Sequence, residues 1–355
     1  MQKTFTKEHT NVVKGFAIIL LLMYHLFSNI YDVLVMEVNY APLNEKTFLT
    51  IAGFGNICVS IFVFLTSYGI AKGIYSQKNL TIKDTYQQAL KRFFKLMLNF
   101  FILYVSVLIV MHPYFDLRAQ YGWGGQGLIR MAVDAIGLHS IFGVTPLNAS
   151  WWYMEVAYLL IFLVPLLALL TQKVGYYIIL FAYITPLVFN MNFNIERFLL
   201  VAVIGVCAAK GEWIDKVMQW KLNAVFKWLL GIAGLALCVF VRQKEIVLEN
   251  FICIADAVIT LFIVCMISVT IASVPGVKKV FAFIGHHSMN IYLVHTFFYM
   301  NIWRKETYQF KYAIVILLVL LVVTLLYSVI LEGLKKLGKF LYRKIKEKRI
   351  AKENA

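Results

Sequence analysis

Charge is scarce in this chain. Only 15% of its 355 residues are charged, against about a quarter in soluble domains, while 61% are hydrophobic and the mean hydropathy is +0.76. A soluble globule of this length would leave whole faces of Leu, Ile and Phe in water, so a soluble protein is excluded, and so is a disordered chain. Acidic residues are the scarcer sign, 18 against 34 Lys and Arg. A surplus of +16 would suggest nucleic acid in a soluble protein, but no aromatic-basic groove, zinc spacing or recognition helix accompanies it, and nucleic acid is set aside. The five cysteines (Cys58, Cys207, Cys238, Cys253, Cys265) lie in apolar runs and form no CxxC pair, which makes them small apolar filler in helices. No internal repeat is visible, and this weighs against a transporter built from inverted halves. No small-residue cleavage site follows the Gly15–Phe27 run behind Lys3, Lys7 and Lys14, so that run reads as a retained first span.

What the chain does have is a succession of apolar segments, near 13–35, 48–73, 93–111, 151–171, 174–191, 195–210, 224–241, 251–272, 281–300 and 312–334. They predict an all-α polytopic membrane protein of about ten transmembrane helices. The fifth and sixth are short and interrupted by Pro186, Asn190 and Asn192. The 112–150 stretch reads either as a long loop or as holding a re-entrant piece, since Gly122, Gly124, Gly125 and Gly127 break a helix there. With the N-terminus inside, 25 of the 34 Lys and Arg fall on the inner side, including Lys3, Lys78 and the run from Lys335 to Lys352. The positive-inside rule then makes both termini cytoplasmic. Residues 1–335 form the membrane domain. Residues 336–355 form a basic tail whose Leu337, Phe340, Leu341 and Ile345 share one helical face, suited to lying on anionic lipid.

An ionisable group within a span is costly and marks a functional candidate. Four stand out: His25, Glu155, Asp256 and His295. His25 is eleven residues beyond Lys14, about 16 Å along a helix, which places Lys14 near the inner headgroups and His25 near mid-membrane. That geometry suits a long ligand with its anionic end held inside and its reactive end at a buried base, because neutral imidazole is the side chain best matched to taking a proton from an alcohol near pH 7. A histidine bonded between helices as glue fits the same spacing. His295, in GHHSMNIYLVHTFF, lies at comparable depth. A metal would want a third ligand, and no HExxH-type spacing supplies one, so no metal is expected. Arg92 and Lys95 open the third span as snorkelling topology signals or, with Lys14, as a phosphate clamp. Trp151, Trp152 and Tyr153 head the fourth span as an interfacial belt or as a stacking platform for sugar rings. Glu155 is not needed for a belt and is a candidate for orienting an imidazole or accepting a hydroxyl proton.

These pieces resemble the acyltransferase-3 family of integral-membrane O-acyltransferases, which decorate bacterial surface glycans. Lys14 and His25 have the spacing of that family's first-span Arg and His, Arg92-Phe-Phe-Lys95 stands at its RxxR, and Phe62-Val63-Phe64-Leu65-Thr66-Ser67-Tyr68 at its FFxLSGY. Ser150-Trp151-Trp152-Tyr153-Met154-Glu155 stands at its Trp-to-Glu element, and Gly285, Ser288, Tyr292 and His295 at its late Gly-x-x-Ser…Tyr-x-x-His. The match spans about residues 11–334. Lys replaces Arg at 14 and 95, keeping charge without the bidentate fork, and the Trp-to-Glu spacing is shorter than the common form. The resemblance implies a multi-pass protein of a bacterial plasma membrane. It also implies an acyl-CoA donor, usually acetyl-CoA, entering from the cytoplasm, and an acceptor hydroxyl on a glycan or lipid-linked glycan such as capsular or exopolysaccharide. On that reading Lys14, Arg92 and Lys95 hold CoA phosphates and His25 deprotonates the acceptor. His295 or Ser67 stabilises the oxyanion, or His295 is the second acid–base group. Two rivals stay open: a transporter or lipid-linked-glycan flippase using buried His and Asp256 as a proton relay, and a sensor or scaffold with a vestigial pocket.

Overall fold

The computed structural model describes residues 4–28, 37–77, 81–189, 193–243 and 251–353. Lys3 and Lys78 of the charge tally, and Asn190 and Asn192, lie outside the described residues. The described chain is helical, with a single isolated bridge between Asn39 and Tyr312 and no strand. In chain order the helices begin with α1 (Lys7–Phe27), α2 (Glu45–Phe54), α3 (Cys58–Tyr75) and α4 (Ile82–Met111). The 112–150 stretch holds two short helices, α5 (Leu117–Tyr121) and α6 (Gly124–Ala135). Then follow α7 (Tyr153–Val174), α8 (Ile178–Val188), α9 (Phe193–Gly211), α10 (Trp213–Met218), α11 (Ala224–Gln243) and α12 (Ile252–Val269). The last are α13 (Pro275–His286), α14 (Ser288–Thr296), α15 (Arg304–Tyr308) and α16 (Ala313–Glu353).

Seven helical runs among the described residues are long and apolar enough to cross a membrane, against the ten expected. Three local features account for the difference. The fourth and fifth expected segments are separate helices, α7 and α8, parted at Gly175, whose φ of +65° only glycine adopts freely, and the 11 residues of α8 are too few to cross by themselves. The sixth, α9, carries Glu196, Arg197 and Lys210 within its 19 residues. The ninth is divided at His287 into α13 and α14, which continues as a π-helical turn over Phe297–Ile302. The boundary expected at 335/336 falls inside α16, a 41-residue helix that runs through it.

Helix α1 is the hub. Its N-terminus is set by a capping box between Thr6 and His9, and it packs most extensively on α13, then on α3, α2 and α14. The α1–α13 crossing depends on two glycines: a Cβ on Gly15 would overlap the Phe281 carbonyl oxygen, and one on Gly285 would overlap that of Asn11. Small residues that bring helix backbones into contact are the usual means of association in lipid, where no hydrophobic force acts between helices. A similar approach occurs where Gly205 of α9 meets the Phe64 carbonyl of α3, 2.8 Å from where a Cβ would sit.

Ion pairs tie the end of the bundle that holds residue 5. Lys72 meets Asp215 at 2.6 Å, and Asp215 also accepts the Phe5 backbone N–H at 2.5 Å. Lys278 meets Glu8 at 2.6 Å, and Lys210 donates to the Thr171 carbonyl. At the opposite end the Tyr308 hydroxyl donates to the Leu26 carbonyl at 2.7 Å and so closes α1.

Because backbone, not a flexible side chain, faces Gly285, Gly285→Ala should push α1 and α13 apart, costing about 1–3 kcal/mol. A lowered thermal midpoint and reduced yield of monodisperse protein in detergent check this. Gly333, where an added Cβ meets nothing, should tolerate the same change.

Candidate functional site

The bundle brings His25 of α1 and His295 of α14 together, with ring centroids 4.7 Å apart and planes at 57°. His295 is fully buried, and its Nδ1 lies 2.6 Å from the Tyr292 carbonyl oxygen. A carbonyl can only accept, so Nδ1 carries the proton and Nε2 presents a lone pair. That Nε2 is buried without a hydrogen-bond partner. His25 is half-buried and makes no side-chain hydrogen bond among the described residues. Tyr24, Tyr292 and Tyr299 supply the surrounding rings, at 5.3 Å from His25 and at 6.0 and 6.1 Å from His295. The π-helical turn begins two residues after His295; such turns are frequent at functional sites because they break the regular ladder.

Residues 148–151 are laced to α14. Asn148 donates its amide to the Thr296 hydroxyl, Tyr292 donates its hydroxyl to the Ser150 carbonyl, and Trp151 donates Nε1 to the Leu293 carbonyl at 2.9 Å. Trp151 is fully buried among Phe100, Tyr104 and Phe297, so it is a wall post and not an open stacking face. Trp152 and Tyr153 are half-buried. Trp152 stacks on Phe198 at 6.3 Å and 18°, and Tyr153 meets Tyr292 edge-on at 5.7 Å. Glu155 accepts the backbone N–H groups of Ser140 (2.6 Å) and Ile141 (3.2 Å) and makes no hydrogen bond to either imidazole. Ser67 is fully buried with an unpartnered hydroxyl and packs where Gly205 crosses α3.

Of the three expected phosphate ligands, Lys14 and Arg92 are half-buried, Lys95 is exposed, and none makes an ion pair or side-chain hydrogen bond among the described residues. Arg92 lies beside Gly73, at the same end of α3 as the Lys72–Asp215 pair. A cavity of about 400 Å³ at that end has a mixed lining, with Thr4, Thr6, His9, Lys227 and Ser268 beside Met218 and Val269. A larger cavity, about 750 Å³, is apolar, runs between Val174–Tyr183 and Ile254–Val258, and contains neither histidine. Among the described residues no group of three or more His, Cys, Asp and Glu could hold a metal.

Asp256 is fully buried and engaged: Arg242 Nε lies 2.8 Å from its Oδ1, Ser60 donates to Oδ2 at 3.3 Å, and Arg197 Nε lies 3.6 Å from Oδ2. Sequence reasoning singled out Asp256 and missed both arginines. Arg197 stands inside the 195–210 apolar segment, where its charge was the available signal; Asn148, in a polar stretch, carries no comparable one.

The chain matches the family described as "Acyltransferase domain" over residues 10–333. No curated protein and no solved structure matches it.

If Glu155 anchors residues 140–141 through two charge-assisted hydrogen bonds, Glu155→Ala should speed hydrogen exchange of the Ser140 and Ile141 amides by about tenfold or more, as expected from bonds worth about 1.5 kcal/mol or more. Amide exchange followed by mass spectrometry checks this, with the Trp151 segment as the unaffected reference.

Proposed function

The chain belongs to the acyltransferase family matched over residues 10–333, and from that membership we propose that it moves an acyl group, acetyl in the first instance, from acyl-CoA to a hydroxyl of a cell-surface glycan such as capsular or exopolysaccharide. The setting is a bacterial plasma membrane with both chain termini in the cytoplasm. The observation that carries the reading is the buried imidazole pair, one ring with a fixed tautomer and an unpartnered Nε2 against a second, more accessible ring.

In this mechanism His25 is the general base. His295 stands behind it, its Nε2 accepting an N–H of His25 when the bound substrates draw the rings together, since catalytic hydrogen bonds often tighten only in the loaded complex. The free nitrogen of His25 takes the proton as the acceptor oxygen attacks the thioester carbonyl. The C–S bond then breaks, and the CoA thiolate leaves with that proton. With Nδ1–H of His295 held by the Tyr292 carbonyl and its Nε2 acting as an acceptor, Ser67, whose hydroxyl is unpartnered, is the remaining candidate of the two for the oxyanion. Acyl-CoA itself is the donor; no metal is required.

The donor's phosphates fit the end of the bundle where Lys72, Lys210 and Lys278 are occupied internally, with Lys14, Arg92 and the exposed Lys95 as the cations to bind them. The glycan fits the Trp152–Tyr153 end, with Trp151 shaping the wall from behind and Glu155 holding residues 140–141. The last turns of α16, with exposed Leu337, Phe340, Leu341 and Ile345 among lysines and Arg343, fit anionic lipid of the inner leaflet. The capture of Asp256 by Arg242 leaves a proton-relay transporter without its carboxylate.

His25→Ala and His295→Ala should each lower glycan O-acetylation by about 10²-fold or more at normal membrane levels of the variant. The check is NMR of cell-surface polysaccharide, in which a deletion strain should also lose acetyl signals; persistence of acetylation in His25→Ala overturns the mechanism. A second test concerns the donor. Lys14→Gln combined with Arg92→Gln should raise KM for acetyl-CoA by about tenfold or more and leave an acetyl thioester lacking phosphates unaffected.

A further inference from the structure

Two guanidinium groups share one carboxylate in the half of the bundle that holds Trp152. Arg242 meets Asp256 as a fork, Nε to Oδ1 at 2.8 Å and Nη2 to Oδ2 at 3.4 Å, and is nine-tenths buried. Ser60 adds its hydroxyl to Oδ2. Two cations therefore face one carboxylate, with Arg242 the closer, and the cluster carries one positive charge in excess. Arg197 makes the longer ion pair, Nε to Oδ2 at 3.6 Å, forms no hydrogen bond among the described residues, and so has a buried Nε without a hydrogen-bond partner. Its side chain keeps 16% of its surface open. A surplus cation within an apolar helix is costly, and one without its full set of acceptors is costlier still.

The position of Arg197 gives the surplus a purpose. Its guanidinium lies over the Phe198 ring at 5.4 Å, Phe198 stacks on Trp152, Trp152 meets Tyr153 at 6.0 Å, Tyr153 meets Tyr292, and Tyr292 meets His295. One unbroken row of rings joins the more loosely held cation to the imidazole pair. Rings flanking a polar chain are suited to saccharide faces, and a guanidinium at the end of the row is suited to a planar oxyanion.

We infer that the acceptor glycan carries an anionic group, a carboxylate or a phosphate, and that Arg197 receives it while the sugar lies along Trp152 and Tyr153. The inference rests on the acyl-transfer reading for the identity of the acceptor as a glycan. Arg242 is the positioning residue: by taking the hydrogen bonds of Asp256 it leaves Arg197 in the longer ion pair alone.

The test measures binding by the purified full-length protein in lipid nanodiscs, without any acyl donor. Three fluorescent probes are compared: an oligoglucuronate, its carboxyl-reduced neutral counterpart, and the neutral oligosaccharide bearing a glycerol phosphate. The expected result is that at least one anionic probe binds about tenfold or more tighter than the neutral one, that added salt erodes the difference, and that the tighter anionic probe identifies the group. Arg197→Gln should erase the preference, and Arg197→Lys should keep part of it. Equal binding of all three probes to the unmodified protein overturns the inference, as does a preference that survives Arg197→Gln. Should Arg197→Gln not yield monodisperse protein, Arg197→Lys decides: loss of the fork must weaken the anionic probe selectively, and unchanged binding overturns the claim. Because no donor is present, the two readings fail separately. Absent acyl transfer with an intact anionic preference removes the acyltransferase assignment, and acetylation of glycan without any anionic preference removes this inference alone.

Discussion

The chemistry of the centre depends on a single carbonyl. By accepting Nδ1–H of His295, the Tyr292 oxygen fixes the imidazole as a neutral tautomer and leaves Nε2 as an acceptor in a dry interior. Had the ring been free to rotate, its two nitrogens would have been interchangeable and the second ring at 4.7 Å would have faced a donor as often as an acceptor. The carbonyl is held in turn, because Tyr292 donates its own hydroxyl to Ser150 and the neighbouring Leu293 carbonyl takes the Trp151 indole N–H. A buried polar group left unpaired costs about 1–3 kcal/mol, so the orphaned Nε2 is tolerated only because these bonds over-determine the ring's place.

Two breaks in regular structure make the contact possible. Gly15 and Gly285 let the backbones of α1 and α13 touch, which draws the start of the ninth segment onto α1. The division at His287 then lets α14 take its own direction, and His287 and Asn290 fasten it to Ser328 of α16. A straight helix through 275–302 would carry every residue in one rotational sequence. The interrupted one satisfies the glycine crossing at one end and the histidine contact at the other independently.

Much of this was legible in the residues. The depth of His25, eleven positions beyond Lys14, and the comparable placement of His295 follow from helical rise, and they are the two residues that meet. What helical rise cannot supply is which faces of distant helices meet. Trp151 looks like a sugar platform because an aromatic residue at a span end has that meaning in isolation; its burial comes from Phe100, Tyr104 and Phe297 on other helices. Glu155 similarly looks aimed at an imidazole until the 140–141 backbone, fifteen positions upstream, takes its oxygens. The span count differs for a local reason: the break the sequence places at 171/174 is there, but hydropathy alone does not register the shortness of α8, the charges within α9, or the division at His287.

The distribution of cations that lack hydrogen-bonded acceptors gives the molecule a direction. At the end holding residue 5, Lys72, Lys210 and Lys278 are spent on Asp215, a carbonyl and Glu8, while Lys14 and Arg92 are left over. In the half holding Trp152, Arg242 takes the hydrogen bonds of Asp256 and Arg197 is held only by the longer ion pair. The imidazole pair lies between these two reserves, reached from one along α1 and from the other along a row of rings. In an apolar bundle with 18 acidic residues to 34 basic ones, cations without partners are expensive to keep, and a stability argument alone would have them neutralised or replaced. Two anion-bearing substrates approaching a shared base from opposite ends would need this arrangement, whereas one substrate carried from end to end would need its charges matched along the whole route.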